Sequence, residues 1–199
     1  MSWDYWSDVI TDSTLNPTTP VIPTQKLAFS DIANSWAKND IMALYEKGYI
    51  KGISADKFGP DNSMTRAEFV TLLLRILGIE EESYNNAFND VKAGDWYANA
   101  VGTAFSKGFI NGKGNGFMPN DKVTRQEAAK IIAVAKNLKS KTKDTSFTDN
   151  DSISQWAKNY VAVVQETGLI TGYPDGSFGP QKNITRAESV IIFLRILDL

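Results

Sequence analysis

Three tetrads hold the residues best suited to chemistry: Thr65-Arg66-Ala67-Glu68, Thr124-Arg125-Gln126-Glu127 and Thr185-Arg186-Ala187-Glu188. A threonine followed three residues later by a glutamate, ahead of an apolar run, is a capping box. The hydroxyl accepts from the third backbone N–H of a helix, and the carboxylate reaches back to the first. Each tetrad therefore opens a helix. Capping leaves the arginine unexplained, because a cation in the first turn faces the positive end of the macrodipole, where an acid would be favoured by about 0.3–1 kcal/mol. Beside exposed helix N–H groups a guanidinium adds a planar fork of donors, which suits a carboxylate or a phosphate. Either Arg66, Arg125 and Arg186 bind an anion at these helix starts, or each pairs with an acid from a neighbouring segment and serves the fold.

The tetrads sit in a longer repeat. Phe29-Ser30-Asp31, Phe88-Asn89-Asp90 and Phe147-Thr148-Asp149 stand 59 residues apart, and Trp36, Trp96 and Trp156 recur every 60. A period of this kind signals an array of equivalent supersecondary units. In each unit a polar residue near the tryptophan (Ser35, Asp95 or Ser154) is the expected cap of a first helix. The apolar face of that helix runs through Ala37, Ile41 and Leu44, then Ala100, Val101, Ala104 and Phe105, then Tyr160, Val161 and Val164. It stops at Gly48, Gly108 and Gly168, each followed by an apolar residue, the signal of a Schellman motif. A second glycine follows four residues on, at Gly52, Gly112 and Gly172, and opens a turn-rich loop that leads to the capping box.

The second helices are apolar on nearly every side: Phe69, Val70, Leu72, Leu73, Leu74, Ile76 and Leu77 in unit one, Val190 to Leu194, Ile196 and Leu197 in unit three, and a milder run from Ala128 to Ala135 in unit two. Such helices belong in an interior. They are too short for the ~20 residues that span a bilayer. The economical arrangement is all-α, with the three second helices as a central bundle, the first helices and loops outside, and a pseudo-threefold axis. Burying about five side chains per helix at about 1.5–3 kcal/mol each is the largest favourable term the chain has. The three arginines then fall at related positions near the clefts between units. The expected segments are an N-terminal tail and Pro/Thr linker at 1–26 and repeats at 27–79, 80–138 and 139–199.

Composition narrows the function. The 199 residues carry 21 basic and 23 acidic side chains, a net charge of −2, with no basic block, so neither nucleic acid nor an acidic membrane surface is an expected partner. Histidine and cysteine are both absent. That removes histidine-based triads, cysteine nucleophiles, the usual zinc sites and disulfides, and no metal or cofactor is expected. The recurrent acids sit at capping positions and not as the paired carboxylates of a glycosidase, so the chain does not read as an enzyme. Met1 is followed by Ser2-Trp3-Asp4-Tyr5-Trp6, which lacks the basic start and apolar stretch of a signal peptide. Either the protein stays inside, or the chain is a mature or excised piece. Trp3, Trp6 and Ile10 fit a short amphipathic helix over residues 2–12, and Pro17, Pro20 and Pro23 among threonines read as an extended linker over 13–26.

The ordered set of Phe-x-Asp, tryptophan-led helix, Gly-Φ-Ile-x-Gly, turn loop and Thr-Arg-Ala-Glu, three times over residues 27–199, resembles the S-layer homology (SLH) repeat in its common triplet. The resemblance implies a non-catalytic module that anchors bacterial surface proteins or exoenzymes, typically on a Gram-positive envelope, by holding secondary cell wall polysaccharide, often through pyruvylated N-acetylmannosamine. It implies an extracellular place at the cell wall or S-layer, an anionic wall glycan as partner, and ligand contacts from Arg66, Arg125 and Arg186 in grooves between repeats. Trp36, Trp96 and Trp156 either offer sugar-facing surface or staple into the core. Gly48, Gly108 and Gly168 are helix stops whose bare backbone could also admit a ligand closely. Asp31, Asp90 and Asp149 read as turn braces. Gln126, in place of alanine, reads as a harmless change on an outer helix turn. Ser54-Ala55-Asp56-Lys57 replaces the glycine turns of the other units and predicts altered loop contacts and non-equivalent grooves. The competing reading is an assembly module that docks onto another protein or onto itself.

Overall fold

The computed structural model describes residues 28–140, 142 and 144–198. The helix expected over 2–12 and the linker over 13–26 lie outside them. The described residues form six α-helices: α1 (Lys38–Glu46), α2 (Arg66–Ile76), α3 (Ala98–Ser106), α4 (Arg125–Ala135), α5 (Lys158–Glu166) and α6 (Arg186–Leu197). Among the described residues, extended pairing is confined to isolated bridges, so the fold is all-α. The starts of α2, α4 and α6, the inner helices, are joined by main-chain bonds, and α1, α3 and α5 pack on them as outer helices.

Each inner helix begins at its capping box. Thr65, Thr124 and Thr185 accept from the N–H groups of Glu68, Glu127 and Glu188, and the glutamates accept in return from the threonine N–H groups at 2.7, 2.9 and 2.9 Å. The remaining first-turn donors are taken up by a neighbouring unit. Arg66 and Ala67 N–H donate to Asp121 and Pro119 O, Arg125 and Gln126 to Lys182 and Pro180 O, and Arg186 and Ala187 to Asn62 and Pro60 O. Unit two completes the helix start of unit one, unit three that of unit two, and unit one that of unit three. Just ahead of the boxes, Met64 N–H donates to Ile184 O, Ile184 N–H to Val123 O and Val123 N–H to Met64 O. These three buried residues close a ring of main-chain bonds about the pseudo-threefold axis.

Helix packing follows the same cyclic order. The outer helix of each unit lies on the inner helix of the unit before it: α3 on α2, α5 on α4, and α1 on α6. At the centre α2 meets α6, with the rings of Phe69 and Phe193 5.3 Å apart. Ile41, Leu44, Val101, Ala104, Val161 and Val164 are buried, as the outer-helix pattern requires. Phe105 differs. It is 40% exposed and packs edge-on against Phe88 at the rim, at 4.8 Å between centroids.

The outer helices start after the tryptophans, not at them. Their N-caps are Ala37, Tyr97 and Ala157, none with a side-chain cap bond, so Ser35, Asp95 and Ser154 do not cap. The main chain closes the turn ahead of each helix, Lys38 N–H donating to Ser35 O, Ala98 N–H to Asp95 O and Ala157 N–H to Ser154 O, and in unit one Ser35 Oγ also accepts from Ala37 N–H at 3.3 Å. The tryptophans ride on these turns and face outward.

The glycine stops behave as the sequence predicts, with φ of 76°, 72° and 69° at Gly48, Gly108 and Gly168. Tyr49 N–H reaches Leu44 O and Phe109 N–H reaches Ala104 O, completing Schellman motifs, whereas in unit three Ile170 takes the bond to Val164 O. Gln126 is buried, and its Oε1 accepts from Ser154 N–H at 3.1 Å. The residue read as a harmless outer change is a tie between units two and three.

Candidate functional site

The aspartates of Phe-x-Asp shape the loops. Asp31 accepts from Phe58 and Gly59 N–H at 2.9 and 2.8 Å, Asp90 from Phe117 and Met118 at 2.8 and 2.7 Å, and Asp149 from Phe178 and Gly179 at 2.7 and 2.8 Å. Burial pushes the Asp31 carboxyl up, but these N–H groups prevail and hold it below its usual value. The second glycines are needed for space. A Cβ at Gly52 would stand 2.5 Å from the Lys57 and Ser54 carbonyl oxygens, and one at Gly172 would stand 2.7 Å from the Phe147 ring. The altered turn of unit one keeps its shape through Ile53 N–H to Lys57 O and Ser30 N–H to Asp56 O, at 2.8 and 2.7 Å.

Each loop so fixed offers carbonyls to the arginine of the preceding unit. Arg66 Nε donates to Phe117 O at 3.0 Å and Nη2 to Asn111 O at 3.3 Å. Arg125 Nε donates to Phe178 O at 2.7 Å and Nη2 to Thr171 O at 2.9 Å. Arg186 Nε and Nη2 donate to Phe58 O and Lys51 O, both at 2.9 Å. The guanidiniums also stack over Phe117, Phe178 and Phe58. Glu127 stands 3.7 Å from Arg66 Nη1, and Glu188 stands 3.2 Å from Arg125 Nη1. Arg186 makes no ion pair among the described residues, and Glu68 acts on it from farther away. Burial pushes Arg66 and Arg186 down, against the pull of Glu127 and Glu68 respectively; a guanidinium stays charged all the same.

The anion site expected from free helix N–H groups is thereby corrected. Those donors are spent on the neighbouring unit's carbonyls and on the capping threonines, and Arg66 and Arg125 are buried. Arg186 stays partly exposed.

Three grooves run between the units. One holds Arg186 with Lys51, Glu68, Leu72, Arg75 and Trp96. A second holds Arg66 with Gly112, Lys113, Glu127, Lys130, Ile131 and Trp156. The third holds Arg125 with Asp61, Gly172, Tyr173, Glu188, Ile192, Arg195 and Trp36. Each takes its arginine from one unit, its loop and glutamate from the next, and its tryptophan from the remaining one. Trp36, Trp96 and Trp156 are 68%, 65% and 48% exposed, so they are not core staples. Gly48, Gly108 and Gly168 do not line these three grooves, and an added Cβ at each meets nothing within 4 Å.

Leu72, Ile131 and Ile192 of the inner helices line the same three grooves. They stand six residues after Arg66, Arg125 and Arg186, a shared offset that could have marked them. They were absorbed into the apolar run of the inner helices.

A model of the S-layer homology domain matches residues 28–70, 87–129 and 146–188. The chain belongs to the S-layer homology family. It is 40% identical over 179 residues to exoglucanase XynX of Acetivibrio thermocellus, covering 87% of this chain and 16% of that protein. It is 39% identical over 175 residues to an amylopullulanase of Thermoanaerobacterium thermosulfurigenes, covering 85% and 9%. It is 31% identical over 183 residues to the surface-layer 125 kDa protein of Lysinibacillus sphaericus, covering 90% and 16%. The chain thus spans less than a fifth of each of these relatives. SLH domains are non-catalytic modules that anchor surface proteins to cell-wall polysaccharide, within larger surface proteins or exoenzymes. The SLH match places this chain at the cell surface of a bacterium with a Gram-positive type envelope. No helix among the described residues is long and apolar enough to cross a membrane.

Proposed function

We propose that the SLH grooves bind secondary cell wall polysaccharide and that the Arg186 groove holds its pyruvylated sugar, with the ketal carboxylate on the arginine and the sugar ring against the tryptophan. The observation that carries this reading is Arg186. Two carbonyls fix its Nε and Nη2, its Nη1 has no ion pair among the described residues, and Arg75 and Lys51 line the same groove. A preset guanidinium with an unused edge is what a carboxylate seeks, and orientation in advance lowers the cost of binding. Trp96 over that groove supplies an exposed aromatic face. Gly48, Gly108 and Gly168 serve as helix stops in this reading and make no ligand contact.

Titration with pyruvylated and chemically depyruvylated wall polymer tests it. The protein is expected to prefer the pyruvylated polymer, and equal affinity for the two would overturn the carboxylate mechanism. Arg186→Lys keeps the charge but loses the fork and the carbonyl anchors, and should weaken binding about tenfold.

A further inference from the structure

The grooves differ in charge and in size. Lys51, Arg75 and Arg186 face Glu68 in one, and in another Arg66, Lys113 and Lys130 face Glu127, with Lys113 also paired to Asp121 at 3.1 Å. In the third, Arg125 and Arg195 are matched by Asp61 and Glu188. That balanced groove encloses about 500 Å³, against about 140 and 150 Å³ for the cationic pair. We infer that the Arg125 groove takes an uncharged sugar of the wall glycan, leaving the acidic sugar to the cationic grooves, and that Glu188 and Tyr173 set this division. The inference rests on the glycan-binding reading above.

Arg125 is committed within the protein. Its Nε and Nη2 are held by carbonyls, its Nη1 by Glu188 at 3.2 Å, and the Tyr173 ring lies 4.5 Å from its guanidinium carbon. Glu188 accepts in turn from the Tyr173 hydroxyl at 2.9 Å. Burial is the main cause that pushes this phenol up to about 12, Arg125 opposing and Glu188 reinforcing. It therefore stays a neutral donor that fixes the glutamate. An incoming carboxylate meets Glu188 and Asp61 as like charges, at a guanidinium already opposed at contact distance. The residue after the second glycine is Ile53, Lys113 and Tyr173 in the three units, so the tyrosine lock belongs to unit three.

A neutral pyranose fits what remains. Its C–H face can stack on Trp36, and its hydroxyls can donate to Asp61 and Glu188. The volume lies within the ~300–1,000 Å³ of ordinary small-molecule sites, whereas the cationic grooves suit a small acidic substituent.

Each groove has one tryptophan, so the indole N–H resonances of Trp36, Trp96 and Trp156, assigned by Trp→Phe exchange, report the grooves separately. The probes are the methyl glycoside of N-acetylmannosamine with and without its pyruvate ketal. The neutral probe should shift Trp36 and leave Trp96 in place, and the ketal probe should shift Trp96. Glu188→Gln, which keeps an acceptor for the cap, should tighten the ketal probe at Trp36 about fivefold, the effect of one unit charge removed at contact distance in water. A neutral probe that moves all three indoles alike or leaves Trp36 still, or a ketal probe that saturates Trp36 before the neutral one, overturns the division of grooves. A ketal probe that moves none of the three overturns the glycan reading in its carboxylate form.

Discussion

Asp31, Asp90 and Asp149 act one step away from the grooves. Each holds the N–H of a loop phenylalanine whose carbonyl, on the far side of the same residue, receives a neighbour's arginine. Asparagine offers one carbonyl where the carboxylate offers two oxygens, so Asp31→Asn should cost about 1–2 kcal/mol at neutral pH, read from the denaturant midpoint. The folded carboxyl sits below its ordinary value. Its contribution is therefore full above the unfolded value of ~3.9 and is lost as pH falls through the lower folded value. The asparagine variant should lack that slope, so a stability difference unchanged between pH 7 and pH 2 would contradict this role. A bracing role was legible from the residue type, but its target was not, because the loop that each aspartate holds lies 27 to 30 residues further along the chain. The arginine contacts were not legible either, because a tetrad names a helix start and says nothing of which carbonyls lie opposite.

At the scale of the helix, capping boxes, glycine stops and apolar stripes follow from local chemistry and were readable from residue type and offset. The starts of α1, α3 and α5 fall later than residue type suggests because main-chain bonds to Ser35, Asp95 and Ser154 close a turn ahead of each helix. The inner helices share one pattern, yet their arginines carry unequal loads. Removing Arg125 strips a nearly buried ion pair and leaves Glu188 facing the groove without its cation, which should cost about 3 kcal/mol. Removing Arg186 costs two carbonyl bonds and the stacking on Phe58 but strips no ion pair from a described residue, and should cost about 1–2 kcal/mol. Denaturant melts of Arg125→Ala and Arg186→Ala check the order, and a larger loss at Arg186 would contradict it.

For the whole molecule, the period of about sixty residues announces three units but not that each hands its contacts to the next in a circle. No single repeat encodes the ring of Met64, Ile184 and Val123, since it exists once all three are present. A chain that ends at residue 138 would leave Arg125 and Gln126 N–H without Lys182 and Pro180, and Phe69 without Phe193. Such a fragment should show no cooperative melt by near-ultraviolet circular dichroism, whereas the full chain should melt in one step. Because every groove borrows walls from three separate stretches of sequence, adhesion cannot be graded by copy number. A gene that drops one repeat gives up all three clefts together, and tandem duplication adds complete clefts in whole triplets.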